Sequence, residues 1–416
     1  MKKAFQTILL AAFLSLQALA QDNSGLSSAD AIRFIRPEYQ PFSEMLATSR
    51  TQVPLLGNSL EVIRGMRKLD LMTKDIAESG SSLNFEYYKF WSGESEIRDM
   101  LMSKSQEGLD VRFISENIAN MPFMADYFGG MRRSGVKLRM FTPAVRPLRF
   151  LLRMNNRNHQ KIAVIDNRIG YIGGMNMHDE YFNEWKDTHI RIEGPAAAVG
   201  CNGVFWKMWE ESACDFTRPA FADTVSYPAA DSLGKIVQIV ADGPFNGSNL
   251  LEDSYVWLLD HTEQYFYART PYFTPPRDVL RAMKAAARRG ADVRIIVPAE
   301  SDIPIMNTIN RSYYKTLLKS GVRIFTSRGA FNHSKTFVTD DYVTAIGSTN
   351  LDYRSFRLNY EDNAYIYDAP VAGQMRGEFE SDCQSICNEI TLQEMNDLSL
   401  FQKILNGLAR LISWQM

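Results

Sequence analysis

The 416-residue sequence has few cysteines, no excess of either charge and, after its first twenty residues, no apolar run long enough to span a membrane. Its net charge of −2 lacks the strong basicity typical of a nonspecific nucleic-acid binder, so nucleic acid is disfavoured as a partner. The four cysteines, Cys201, Cys214, Cys383 and Cys387, lack CxxC spacing and have no histidine close by. This pattern favours thiols or disulfides over a zinc site, and it leaves the disulfide state open.

The composition is otherwise that of a globular protein. Hydrophobic residues make up 45% of the chain, which is enough for a sizeable core in two or three domains. The N-terminus is typical of an export signal, because Lys2 and Lys3 precede the apolar run 7–16, and Ala18 and Ala20 form a small-x-small cleavage site. We therefore expect an exported protein, periplasmic or membrane-associated on the outer side of the inner membrane. Whether the signal is cleaved or kept as an anchor is left open.

Six chemically similar residues occur twice, and each copy stands 174 positions from the other. The first set is His159, Lys161, Asp166, Gly173, Asn176 and Asp187, and the second is His333, Lys335, Asp340, Gly347, Asn350 and Glu361. Six matches at one separation indicate an internal duplication that kept its polar residues in place. We expect two halves that build one site.

The pattern of secondary structure also repeats. Each copy predicts a helix, a β-rich run, a second helix and then a strand that follows a glycine. The predicted ranges are 60–78, 83–90, 96–105 and 109–114 in the first copy, and 250–261, 265–270, 278–289 and 291–296 in the second. Alternating helices and strands of this kind predict an α/β layered domain, here twice.

Domain boundaries follow from the repeat and from a proline-containing stretch between the copies, at Pro219 and Pro228. The N-terminal extension is predicted to wrap the first domain. The predicted segments are a signal peptide (1–20), an N-terminal extension (21–52), a first domain (53–215), a linker (216–235), a second domain (236–391) and a C-terminal amphipathic helix (392–416).

The duplicated residues have spacings that suit a shared site. His159 and Lys161 stand two positions apart at the start of an apolar run, so on a strand their side chains project from one face. His333 and Lys335 repeat this spacing. Small residues at which the backbone could approach a ligand closely, and asparagines that could bind phosphate together with the lysines, follow in both copies. They are Gly173, Gly174 and Asn176, and then Gly347, Ser348 and Asn350.

Two pairs of carboxylates complete the repeat. Asp166 and Asp340 belong to the same motif as the candidate catalytic residues, but they end strands at hairpin-like turns, which indicates a structural role. Asp187 and Glu361 each lie 28 residues beyond the histidine of their own copy. Each is predicted to accept the Nδ1–H of that histidine and so to fix its tautomer.

This set of groups fits a phosphodiester. Lysine and amide groups neutralise the phosphoryl oxygens without a metal or cofactor, which leaves two imidazoles for covalent and proton-transfer steps. One imidazole would attack phosphorus while the other gives a proton to the leaving oxygen, and the roles reverse for an acceptor alcohol or water. A polar surface strand explains a single copy of the motif equally well, but duplication at constant spacing favours catalysis.

The motifs resemble those of the phospholipase D superfamily, and within it the bacterial cardiolipin synthase group. His-x-Lys-x4-Asp, followed by Gly-Gly or Gly-Ser and then Asn, is the signature of that superfamily. The resemblance extends over about 53–368, most of the chain without its signal. The stretches that carry it are Asn155–Lys161, Gly173–Tyr181, Trp185–Pro195, Thr270–Pro275, Gly347–Ser355 and Asn359–Glu361.

The resemblance implies two α/β/α sandwich domains with one active site at their interface. It also implies a monomeric catalytic unit without cofactors and a phosphatidyl-enzyme intermediate on one histidine. Two phosphatidylglycerol molecules would then give cardiolipin and glycerol at a peripheral membrane surface. His159 is assigned as nucleophile and His333 as acid and base, with the reverse assignment open. The group carries N-terminal membrane spans, which the signal-like segment replaces here.

Alternatives remain at this point. The chain could be an exported phospholipase D hydrolase, a nuclease of the same superfamily, or a non-catalytic protein that binds anionic lipid. Two segments, Arg146–Arg157 and Ser399–Trp414, combine basic with large apolar residues and no acid. Each suits either a membrane interface or packing against the protein itself.

Overall fold

The computed structural model describes residues 28–90, 96–123, 127–141, 155–212 and 234–411. The predicted signal peptide, Cys214, nearly all of the predicted linker and most of the basic segment Arg146–Arg157 lie outside these residues. The strands are β1 Leu55–Ile63, β2 Ser82–Tyr87, β3 Asp110–Glu116, β4 Lys137–Phe141, β5 Lys161–Ile165, β6 Ile169–Gly173, β7 His189–Glu193, β8 Lys235–Asp242, β9 Tyr265–Arg269, β10 Phe273–Thr274, β11 Asp292–Pro298, β12 Arg323–Ser327, β13 Thr336–Thr339, β14 Val343–Gly347, β15 Leu351–Asp352, β16 Glu361–Tyr367 and β17 Cys387–Ile390.

Helices cover the sheet and connect its strands. The α-helices are α1 Ser28–Arg33, α2 Gln40–Leu46, α3 Met66–Ala77, α4 Glu96–Gln106, α5 Tyr127–Arg133, α6 Asp179–Asn183, α7 Asn202–Glu211, α8 Leu250–His261, α9 Arg277–Arg289, α10 Pro304–Leu318, α11 Tyr353–Arg357, α12 Ala369–Ser385, α13 Leu392–Asp397 and α14 Leu400–Leu411. Short 3₁₀ turns occur at Pro37–Tyr39 and Ile118–Phe123, and a π-helical turn at Ala196–Cys201 precedes α7.

The sheet shows the duplication directly. Within the described residues fifteen strands form one sheet, in the order β17-β12-β11-β9-β13-β14-β16-β8-β1-β7-β6-β5-β2-β3-β4. Reading outward from its centre, β1-β7-β6-β5-β2-β3-β4 and β8-β16-β14-β13-β9-β11-β12 have the same arrangement. Antiparallel pairing of β1 with β8 joins the two halves. The structure confirms the predicted α/β class and its repetition.

A shared core holds the two halves together. One cluster of buried side chains combines Ile162 and Ile190 from the first half with Ile239 and Ile346 from the second. Each fully buried side chain of this size stabilises the fold by about 1.5–3 kcal/mol. The apolar runs after both histidine motifs are buried along their whole length, as expected for interior strands. The strands that carry the motifs are therefore fixed in a rigid interior.

The N-terminal extension was predicted to wrap the first domain, but it packs mainly on the second half and contacts the first half where Thr51 meets Gly203. Its Tyr39, Phe42 and Leu46 belong to the core cluster of the second half. Phe42 packs its ring 5.1 Å from that of Trp257, and Ser43 Oγ donates to Gln238 Oε1 at 2.9 Å. These tertiary contacts determine where the extension packs, and the order of segments along the chain does not reveal them.

Local differences from the predicted elements are small. The predicted helix at 60–78 begins only at Met66, because residues 55–63 form β1 beside the second half. The predicted C-terminal helix is two helices, α13 and α14, separated by Leu398 and Ser399, and the backbone of Leu398 is extended. Of the cysteines in the described residues, Cys201, Cys383 and Cys387 are free thiols.

Candidate active site

A cavity of about 250 Å³ lies where the two halves meet and brings both motif histidines together. Both asparagines that the sequence singled out also line it. Cationic, aromatic and carboxylate side chains complete its wall. The lining residues are Tyr88, Lys89, Arg157, His159, Asn176, Tyr181, Trp185, Tyr272, Asp302, Ile303, Met306, His333, Asn350, Asp352, Arg354 and Asn359.

The carboxylates orient the histidines of the opposite halves. His159 Nδ1 lies 2.9 Å from Glu361 Oε2, and His333 Nδ1 lies 2.7 Å from Asp187 Oδ2. The prediction that Asp187 serves His159 and Glu361 serves His333 was therefore wrong. A constant separation in sequence does not distinguish a partner in the same half from its equivalent in the other half.

Backbone contacts across the interface produce this crossed arrangement. The His159 amide donates to Tyr360 O at 3.0 Å, one residue before Glu361. In the same way the His333 amide donates to Lys186 O at 2.7 Å, one residue before Asp187. Each histidine segment thus lies alongside the carboxylate segment of the other half. The site is complete only when both halves are present.

The two carboxylates are held differently. Glu361 accepts hydrogen bonds from Ser348 Oγ, from Ser355 Oγ at 2.8 Å and from Asn359 Nδ2 at 3.0 Å. Asp187 accepts from the Thr188 amide at 2.7 Å. Each carboxylate is buried, so these donors and the imidazole supply the hydrogen bonds that water would otherwise provide.

The small residues make room for the protein itself. A Cβ at Gly174 would overlap the Asp187 carboxylate, one at Gly173 would lie 2.6 Å from His189 Cα, and one at Gly347 would overlap Asn363. Gly173 also has φ +151°, which disfavours other residues. These glycines were expected to let the backbone approach a ligand closely. In the structure they let it approach other parts of the protein, namely the Asp187 carboxylate and the neighbouring strands. Ser348, the counterpart of Gly174, instead donates to Glu361.

Both motif lysines are buried behind the histidines. Lys161 Nζ donates to the carbonyl oxygen of His159, and Lys335 Nζ does the same to His333. Lys335 Nζ also lies 3.0 Å from His333 Nε2. Burial lowers the pKa of Lys335 to about 7 and also lowers that of Lys161, against the raising effect of nearby carboxylates. Neither lysine lines the cavity, so each acts on a bound molecule electrostatically from behind its imidazole and not by direct contact.

The two asparagines line the cavity but differ in their partners. Asn176 accepts from the Lys89 amide at 3.1 Å and donates to Tyr181 Oη at 2.7 Å, so both ends of its side chain are held by the protein. The Asn350 Oδ1 atom is buried and has no hydrogen-bond partner among the described residues. Of the two side chains, Asn350 has the more polar capacity left for a bound molecule.

Burial dominates the titration of the site. It lowers the pKa of His159 to about 4, against the raising effect of Glu361, and together with the Lys335 charge it lowers the pKa of His333 well below its ordinary value. Burial raises the pKa of Asp187 to about 6, although Lys335 and the Thr188 amide oppose the rise. Burial also acts to raise the pKa of Glu361, but His159, Lys161 and Ser348 outweigh it and lower the value. Both imidazoles are therefore neutral in the empty site at pH 7.

Asp166 and Asp340 lie away from the cavity, at the β5–β6 and β13–β14 hairpin turns. Asp166 and Asn167 have φ of 52° and 51°, and Asp340 and Asp341 have 47° and 51°, as expected for tight hairpin turns. Asp166 accepts from the amides of Gly80, Ser81 and Ser82, and Asp340 from those of Glu263, Gln264 and Tyr265. Both carboxylates thus occupy the structural position that their turns indicated, outside the cavity, and their inclusion among the catalytic residues stays a prediction that this position does not support.

Sequence reasoning missed several cavity residues. Lys89, Arg157 and Arg354 add positive charge near His159, and the aromatic rings of Trp185 and Tyr272 face His333. Trp185, Tyr272 and Arg354 fall within the stretches that carried the resemblance, so their positions were available as a signal. Asp302 carried no such signal. It belongs to the loop between β11 and α10.

Comparison with known proteins identifies the family. The family described as "Cardiolipin synthase, PLD-like domain" matches residues 72–209 and 255–383, more than half of the chain. The chain belongs to this family. It is a phospholipase D-type phosphatidyltransferase of the cardiolipin synthase kind, with a phospholipid substrate.

Relatives and solved structures agree with this assignment. The chain is 31% identical over 367 residues to the major cardiolipin synthase of Bacillus subtilis (strain 168), covering 86% of this chain and 75% of that protein. It is 32% identical over 413 residues to a cardiolipin synthase of Staphylococcus aureus (strain Mu50), covering 96% and 81%. The crystal structure of phosphatidylserine synthase from Haemophilus influenzae Rd KW20 has a TM-score of 0.65 at 16% identity, covering 86% and 95%. At that identity the likeness supports the fold alone.

The family corrects the expected localisation. Export to the periplasm or to the outer side of the inner membrane was predicted from the first twenty residues, and that prediction was wrong. The cardiolipin synthase relatives are bound to the cytoplasmic membrane. Along the part of the chain that the structure describes, no helix is both long and apolar enough to cross a bilayer.

Proposed function

We propose that this cardiolipin synthase relative transfers a phosphatidyl group from phosphatidylglycerol through a histidine-bound intermediate to the hydroxyl of a second phosphatidylglycerol. The products are cardiolipin and glycerol. The observation that carries this proposal is one cavity with two imidazoles, each fixed through Nδ1 by a carboxylate of the opposite half. This arrangement turns Nε2 of each ring away from its carboxylate, and Lys335 Nζ lies 3.0 Å from Nε2 of His333.

In the first step His159 Nε2 attacks phosphorus and forms a P–N bond. The bond from phosphorus to the glycerol headgroup oxygen breaks, and that oxygen takes a proton from His333 Nε2. In the second step neutral His333 accepts the proton of the incoming hydroxyl. The hydroxyl oxygen bonds to phosphorus, the P–N bond breaks, and His159 is regenerated.

Charge in the site supports a bound phosphodiester. Lys161 and Lys335 stand behind the two rings, and Lys89, Arg157 and Arg354 line the cavity. Burial and, after it, the lysine charges keep the pKa of His333 low. An anion between the imidazoles offsets the lysine charges, so the proton needed in the first step is stabilised once substrate binds. Asn350 lines the cavity, and its amide NH₂ group is the candidate donor to a phosphoryl oxygen.

The polar lining at the His333 end favours an alcohol. Tyr272 Oη donates to Asp302 at 2.9 Å, and this exposed carboxylate lines the cavity that contains His333. A carboxylate accepts hydrogen bonds from neighbouring hydroxyl groups of a polyol, whereas it repels a phosphate. We therefore place the leaving glycerol, and afterwards the acceptor hydroxyl, beside His333 and Asp302. This placement supports His333 as the acid and base.

Mass spectrometry of the lipid products tests the proposal. Purified protein with phosphatidylglycerol should give cardiolipin and glycerol, and added glycerol should drive the reverse reaction. Asp302→Asn should retain turnover but raise the KM for added glycerol about tenfold, because it removes an anionic acceptor. Phosphatidic acid as the sole product would establish a hydrolase and contradict the assigned acceptor. Asp341→Asn, a change at a remote hairpin turn, is the matched control.

A further inference from the structure

The last helix, α14, directs a row of large apolar side chains outward. Its residues 400, 401, 404, 405, 408 and 411 recur at helical spacing, and each is between 42% and 75% exposed. Six such side chains on one face exceed what a soluble surface normally presents without a partner. The row therefore does not pack against the described part of the protein, which was one of the two interpretations of this segment.

A different side of α14 attaches it to the protein. Ala409 is buried in the core of the second half, and the Arg410 guanidinium lies 4.8 Å from the ring centroid of Tyr313 on α10. Lys403 Nζ donates to Asn396 O on the preceding helix. A small side chain and two basic side chains thus hold the helix in place, and the apolar row remains on the outside.

Helix α10 links α14 to the mouth of the cavity. Met306 and the adjoining Ile303 line the cavity, and Ile303 and Ile305 are exposed. Tyr313, which contacts Arg410, lies seven residues beyond Met306, a rise of about 10 Å along the helix axis. The exposed isoleucines and the row on α14 therefore lie on elements that pack directly against each other.

We propose that the outward face of α14, together with Ile303 and Ile305, docks on an anionic phospholipid surface and holds the cavity mouth against it. This inference rests on the proposed function, because it explains how a membrane-held headgroup reaches His159 and His333. α14 contains no acid, so no carboxylate of the helix opposes its approach to an anionic surface, while Lys403 and Arg410 hold it against the protein on the other side. Twelve residues span about 18 Å, too short to cross a bilayer, so the helix lies in the interface.

Vesicle flotation of the full chain tests the docking face. Phe401→Asp/Leu408→Asp removes two exposed members of the row, so folding should be unaffected. Gln402→Asp/Asn406→Asp adds the same charge to α14 outside the row and serves as the matched control. On vesicles rich in phosphatidylglycerol we expect the first variant to bind at least tenfold more weakly than wild type, and the control to lose no more than about twofold. Vesicles of phosphatidylcholine alone should bind all forms weakly.

Activity measurements separate docking from chemistry. The first variant should lose turnover of phosphatidylglycerol in vesicles in proportion to its binding, and keep wild-type turnover of monomeric short-chain phosphatidylglycerol. Equal vesicle binding by the first variant and wild type would overturn the inference. So would light scattering that shows a wild-type dimer dissolved by the substitutions, because a second copy would then cover the row. If wild type binds vesicles but converts neither substrate, the proposed function fails while the docking face stands.

Discussion

The two halves of this protein carry matching residues but build unequal surroundings for them. On the His159 side, Glu361 receives hydrogen bonds from three side chains in addition to the imidazole. On the His333 side, the shorter Asp187 receives a backbone amide, and Gly174 leaves the space that its carboxylate occupies. Duplication has kept the reacting groups and altered what holds them.

This difference gives the two histidines separate electrostatic settings. The pKa of Glu361 is lowered, so it stays ionised next to His159 over the whole physiological range. The pKa of Asp187 is raised to about 6, so the charge on the carboxylate that contacts His333 changes near neutral pH. A nucleophile and a proton-transfer group need different settings, which a perfectly symmetric site would not provide.

Loss of either histidine should have the largest effect. His159→Ala should abolish turnover and also any covalent phosphatidyl label, because it removes the proposed nucleophile. His333→Ala should slow turnover of phosphatidylglycerol by at least about 10³-fold, because the leaving glycerol lacks its proton donor. With a substrate whose leaving group departs without a proton, this variant should still accumulate label at His159. Rapid quenching with radiolabelled substrate, followed by peptide mapping, measures both outcomes. Label on His333 in the His159→Ala protein would reverse the assignment of roles.

Breaking the crossed pairs should have the next largest effect. Glu361→Gln and Asp187→Asn should each lower kcat by roughly 10²-fold or more, because the amide favours the wrong tautomer of its imidazole. In double-mutant cycles on the free energy of unfolding, which needs no turnover, Glu361→Gln should couple with His159→Asn, and Asp187→Asn with His333→Asn. Additive effects within these pairs, together with coupling inside each half, would contradict the contacts in the structure.

The sequence predicted the composition of the site better than its connections. Constant spacing located His159, Lys161, His333 and Lys335, because a duplicated motif preserves local strand geometry. It could not show that Glu361 faces His159, since partners in the same half and in the opposite half have the same sequence signature. The docking of the N-terminal extension was missed for a related reason. It depends on tertiary contacts of Phe42 that no local pattern encodes.

The pH dependence of kcat/KM should show a moderate effect of Asp187 that Glu361, its counterpart in the other half, does not share. Asp187 is charged above its pKa of about 6, so kcat/KM should fall as the pH drops through that value. Lys335 is charged below its pKa of about 7, so kcat/KM should fall as the pH rises through it. In Asp187→Asn the acid limb should disappear and the alkaline limb should remain but move to lower pH, because the Asp187 charge raises the pKa of Lys335. Glu361→Gln, the control from the other half, should keep both limbs at a lower rate.

The hairpin aspartates should show the smallest effect on activity and a clear one on stability. Asp340→Asn and Asp166→Asn each remove a charged acceptor of three backbone amides, and Asp340 is the more buried of the two. Each change should cost about 1–3 kcal/mol in the free energy of unfolding, with Asp340→Asn at the upper end. Neither carboxylate lines the cavity, so kcat should stay within about twofold of wild type below the melting temperature. Denaturant unfolding and steady-state kinetics on the same samples check this. A hundredfold loss of kcat in a fully folded variant would return these residues to the catalytic set.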